Sequence, residues 1–66
     1  MYVAIIKGWT TVATFSEDEE KAKKLAIEKK KSFARDDLDK WNWETVSDYY
    51  GAFTEKIKEG TILTDI

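Results

Sequence analysis

Trp43-Glu44-Thr45-Val46-Ser47-Asp48-Tyr49-Tyr50-Gly51-Ala52-Phe53-Thr54-Glu55-Lys56-Ile57-Lys58-Glu59-Gly60 is the stretch on which the fold turns. Trp43, Val46, Tyr50, Phe53 and Ile57 recur at steps of 3, 4, 3 and 4. That spacing gathers apolar side chains on one face of a helix. Glu44 and Asp48 lie near the start and Lys56 and Lys58 near the end, as the helix dipole favours. Gly60 then offers a left-handed C-cap. This reading makes 43–59 one helix. Gly51 opposes it, because glycine inside a helix costs about 1 kcal/mol relative to alanine. The competing reading stops the helix at Tyr50, caps it with Gly51, and makes 52–58 and 61–66 a hairpin around Glu59 and Gly60. Its weakness is Glu55, which strand alternation sends to the same face as Phe53 and Ile57. The long helix is the favoured reading. A last strand over 61–66 is expected under both.

Toward the N-terminus the pattern changes period. Tyr2-Val3-Ala4-Ile5-Ile6-Lys7 is almost wholly apolar and β-branched, the mark of a strand covered on both faces and central in its sheet. Residues 10–15 form a second strand candidate. The Lys7-Gly8-Trp9-Thr10 junction between them is short enough for a hairpin, with Gly8 free to take positive φ. Ser16 and Glu19 stand at capping-box spacing and start a helix over roughly 17–33. Acids crowd its first turn and Lys29, Lys30 and Lys31 its last. Glu17–Lys21, Glu19–Lys23 and Glu20–Lys24 are i,i+4 pairs worth about 0.2–0.5 kcal/mol each. Ala22, Leu25, Ala26 and Phe33 share a stripe, with Ile27 off it. Residues 34–40 read as a loop with Leu38 as its inward anchor. The expected architecture is therefore α+β in the order ββααβ. It has a three-stranded sheet with helices on one face. The alternative is ββα-α-ββ with a C-terminal hairpin over 52–66. The last strand is free to pair beside either hairpin strand.

Composition excludes several chemistries. The 66 residues contain no histidine, cysteine or proline, but three each of Trp, Tyr and Phe. A single domain is expected, without disulfides and without thiolate or imidazole metal ligands. A core of this size rarely supplies more than about 3–5 kcal/mol, so dense aromatic packing or an oligomer must make up the difference. No base is present for a serine triad and no glycine-rich loop for phosphate. Asp36, Asp37, Asp39, Glu44 and Asp48 could serve carboxylate chemistry, but they read as caps and solubilising charge. No cofactor, no metal and no catalysis are expected. The first residues lack the basic and apolar regions of a secretory leader. No stretch suits a membrane span, and a cytoplasmic location is the default.

The lysine run of the first helix is largely balanced by acids four residues earlier. Only Lys29, Lys30 and Lys31 are uncompensated, and they carry a weak nucleic-acid alternative. A net charge of −2 argues against it. The segment 36–50 is the richest. It holds Trp41, Trp43, Tyr49 and Tyr50 among five acids. If Trp43 and Tyr50 face the core, Trp41 and Tyr49 point elsewhere. Exposed Trp and Tyr are enriched at binding hot spots. The expected function is a non-enzymatic protein-interaction module. Its candidate partner-binding residues are Trp41, Tyr49, Asp36, Asp37, Asp39 and Glu44, and its partner is another protein or a second copy of the chain. The order hairpin-then-capped-helix over Tyr2 to about Phe33 resembles the N-terminal half of HicB-type antitoxin domains. This is a resemblance of element order, without the Pro-Gly-Cys stretch such domains often place before the helix, and it assigns no residue a role.

Overall fold

The structure is a computed structural model that describes residues 1–34 and 37–62. Strand β1 (Tyr2–Ile6) is followed by β2 (Val12–Ser16), helix α1 (Glu19–Lys31), a 3-10 turn (Leu38–Lys40), helix α2 (Trp43–Tyr50) and β3 (Phe53–Lys56). The three strands form one antiparallel sheet in the order β2-β1-β3. The ββααβ order of an α+β fold is thus observed, with the most apolar segment at the centre of the sheet.

Two expectations are corrected. The single helix over 43–59 does not form. Helix α2 stops at Tyr50, and Gly51 closes it at φ 78°, ψ 50°, donating its N–H to the Ser47 carbonyl. That conformation costs any residue with a Cβ about 1–2 kcal/mol, and glycine nothing. Ser47 Oγ donates to the Ala52 carbonyl at 2.7 Å and directs the chain into β3. Among the described residues the last strand is β3 at 53–56, and the strand expected over 61–66 is not seen in the part of it that is described. Thr61 and Ile62 lie outside any strand, and 63–66 fall outside the described residues. Pairing of β3 with β1 satisfies backbone groups that a longer helix would have left β1 exposing. Glu55 is no obstacle, because it pairs with Val3 on the face turned away from the helices, at an edge where it stays exposed.

Alternation in β1 divides the packing. Ala4 and Ile6 face the helices and pack with Val12, Ala22, Ala26, Val46 and Ala52. Val3 and Ile5 face the other way, flanked by Phe15 of β2 and Phe53 of β3, and are equally buried. Ala22 and Ala26 let α1 lie close on the sheet, where Thr14 Oγ1 donates to the Ala22 carbonyl at 2.7 Å. Ile27 packs against the core and Leu25 is exposed, reversing their expected places. Leu38 anchors its turn inward as expected.

The start of α1 also differs. Asp18, rather than Ser16, is the N-cap, accepting from the Glu20 and Lys21 amides. Ser16 cannot serve, because it still belongs to β2 and pairs with Tyr2. Its Oγ accepts from the Asp18 N–H at 3.2 Å and turns the chain toward the helix. Lys23 pairs with Glu19 at 3.5 Å and Glu20 at 3.2 Å. It also lies over the Trp43 ring at 5.7 Å, joining α1 to α2.

A candidate aromatic binding cleft

Three parts of the chain converge at one end of the sheet: the β1–β2 turn, the end of α1 and the end of α2. The turn brings Gly8, Trp9 and Thr10. Gly8 has φ 134°, a backbone conformation that side chains rarely permit. An added Cβ there would also stand 2.9 Å from Lys30 Nζ and 3.2 Å from the Tyr50 ring. Helix α1 brings Lys30, followed by Phe33, and α2 brings Tyr49 and Tyr50. Together they surround a cleft of about 800 Å³. Trp9 is fully exposed, Tyr49 is 67% exposed and Phe33 53% exposed.

Lys30 is the least expected member. It is only 2% exposed. Its Nζ donates to the Thr10 carbonyl at 2.5 Å and lies over the Tyr50 ring, 5.0 Å from the centroid. Burial holds its pKa below the ordinary lysine value. Local composition hides this, because Lys30 sits within a run of three lysines that reads as a solvated helix end. Its spacing was the usable signal: Ala22, Ala26 and Lys30 are four residues apart and share the buried stripe.

The other two lysines of the run are differently placed. Lys29 lies 5.8 Å from the Phe33 ring. Lys31 pairs with Asp39 at 2.7 Å and Glu28 at 3.6 Å. The hydrogen bond that Lys31 donates to Asp39 is the main reason that the Lys31 pKa is raised. The three therefore do not project together as one basic patch.

The sequence-derived candidates separate into aromatics and acids. Trp41, expected to point away from the core, is half-buried and packs against it. It also meets Tyr49 edge-on at 5.3 Å and Tyr50 at 5.9 Å. Tyr49 and Tyr50 are themselves 4.8 Å apart and edge-on. Trp41 thus packs against Tyr49, and Tyr49 is the exposed member of the cluster. Asp37 caps the 3-10 turn through the Asp39 amide and pairs loosely with Lys40 at 3.8 Å. Asp39 is engaged by Lys31. Glu44 is exposed in the first turn of α2, where Asn42 provides the cap. Asp36 lies outside the described residues. Trp9 and Phe33, absent from the candidate set, join Tyr49 at the cleft only through the fold.

Among the described residues no group of acids gathers as metal ligands would. No helix among them is long and apolar enough to cross a membrane. No protein-family model, curated protein or solved structure matches the chain.

Proposed function

We propose that this chain is a non-enzymatic protein-interaction module whose gripping surface is the aromatic cleft, continued by the acidic 37–44 segment beside it. The observation that carries the reading is the convergence of three exposed rings, Trp9, Phe33 and Tyr49, around one cleft. A 66-residue chain gains little by leaving such rings in water, whereas rigid aromatics are efficient binding anchors. Asp37, Asp39 and Glu44 add negative charge to the 37–44 segment, which steers a partner with basic groups.

The test is capture of partners from cell extract by the wild type and by Trp9→Ala/Tyr49→Ala. Both residues are exposed, so the fold is expected to survive, as circular dichroism will report. Wild type is expected to retain specific partners that the double variant loses, with affinity reduced at least tenfold, since an aromatic hot spot is worth about 2 kcal/mol or more. Equal retention by the folded double variant would refute the reading.

A second reading, self-association, is favoured by one feature. The outer edge of the sheet at β2 (Val12, Ala13, Thr14, Phe15, Ser16) carries no charged residue, whereas the β3 edge carries Glu55 and Lys56. Charged side chains are a usual guard on open strand edges.

A further inference from the structure

The interaction reading leaves the Lys30 ammonium in the cleft wall unexplained. An ammonium has three N–H donors. The Thr10 carbonyl takes one, and the Tyr50 ring lies beneath the group. Among the described residues, no carboxylate lies within ion-pair distance of Lys30, whereas Lys23 and Lys31 each have two. A cation that is 2% exposed and lacks a counter-ion is costly, and such groups are normally paired. The groups around Nζ are Gly8, Thr10 and Tyr50, all of which border the cleft. The missing counter-charge is therefore one that a ligand entering the cleft can bring.

We propose that the cleft binds the C-terminal residue of a partner chain, its free carboxylate on Lys30 and its apolar side chain between the rings of Trp9, Phe33 and Tyr49. The inference rests on the interaction reading and names the partner's chemistry. Two features of the cleft match that ligand. The cation is at the wall, held in place by Thr10, so no side-chain ordering remains to be done on binding. The rings are the exposed part, so the apolar body of the ligand meets them outside the charged contact. Gly8 keeps the approach to Nζ open, since a side chain there would occupy it. Withdrawal of charge on burial, which lowers the Lys30 pKa, would be offset by a bound anion.

The experiment is an NMR titration of the wild-type chain with N-acetyl-phenylalanine and, in parallel, with N-acetyl-phenylalaninamide. The two differ only in the terminal charge. The acid is expected to shift the amides of Gly8 and Thr10 and the Lys30 side-chain signals in a saturable way. The amide is expected to bind about tenfold more weakly or worse, the usual size of a charge-assisted hydrogen bond. Lys30→Met should remove the preference for the acid. Equal binding of acid and amide would overturn the inference and leave the aromatic cleft reading intact. Binding of neither would also overturn it. Loss of the interaction reading itself shows separately, as partner capture unaffected by Trp9→Ala/Tyr49→Ala. Because the acid–amide comparison uses the unaltered protein, it stands even if Lys30→Met does not fold.

Discussion

At the scale of single residues, two glycines and a lysine carry more of the structure than their size suggests. Gly51 has open space where a Cβ would go, so its requirement is purely one of backbone conformation at φ 78°. Gly51→Ala is expected to destabilise the fold by about 1–2 kcal/mol. In a chain of this length that lowers Tm by roughly 4–8 °C per kcal/mol, read by thermal denaturation. An unchanged Tm would show that the turn after α2 does not need the left-handed conformation. Lys30 makes a pH prediction. Unfolded, it holds its proton up to the ordinary value of 10.5; folded, burial releases the proton at lower pH. Between those two values the unfolded state binds more protons, so Lys30 makes stability rise with pH across the window. Lys31 has the opposite sign. Asp39 holds its proton past 10.5, so its contribution is complete below that pH and is lost as pH climbs through the folded value. Its exposure keeps that contribution small. A side-chain NMR titration is expected to deprotonate Lys30 before Lys31, and Lys30→Met to remove the rising segment of the stability curve. Coincident midpoints would contradict this placement of the lysines.

At the scale of elements, the start of α1 separates two capping models. Asp18→Ala should cost about 1 kcal/mol, the ordinary value of an N-cap, whereas Ser16→Ala should cost clearly less, because Ser16 holds only one turn hydrogen bond at 3.2 Å. Urea denaturation of the two variants decides it, and the reverse order would restore Ser16 as the cap. This element also shows what the sequence made legible. The hairpin, the charge gradient of α1 and the inward Leu38 could all be read from local patterns. The cap could not, since Ser16 and Asp18 are both good caps, and the choice depends on how far the β2 ladder runs. The 43–60 stretch was ambiguous for a similar reason. Its 3–4 spacing is helical throughout, and only the open side of β1, a partner distant in sequence, draws 53–56 into the sheet. Local periodicity is silent about that partner. The exchange of Leu25 and Ile27 likewise follows from the way α1 rolls on the sheet, which helical spacing alone leaves undetermined. The site was half legible: Tyr49 and Trp41 were flagged by their chemistry, but Trp9, Phe33 and Lys30 join Tyr49 only when three distant segments meet.

At the scale of the whole molecule, the two outer strands are guarded unequally. The uncharged β2 edge is available for antiparallel pairing with its own copy, which would make one six-stranded sheet across two chains. Analytical ultracentrifugation across micromolar concentrations is expected to show dimer formation for the wild type and its loss for Ala13→Lys, which places charge on that edge. A single monomeric species at every concentration would leave the edge without such a partner. The dimer and the cleft do not compete, since β2 borders the cleft only through the turn that precedes it.

The placement of β1 also has a bearing on how the protein is made. Its Tyr2–Ile5 segment pairs with Phe53–Lys56, and the Met1 carbonyl receives the Ile57 N–H. Ribosomes deliver the first of these segments long before the second, at about 5–20 residues per second. The nascent chain must therefore hold one flank of its most apolar strand unclaimed until the second segment has emerged, and during that interval the open flank is what a chaperone would cover.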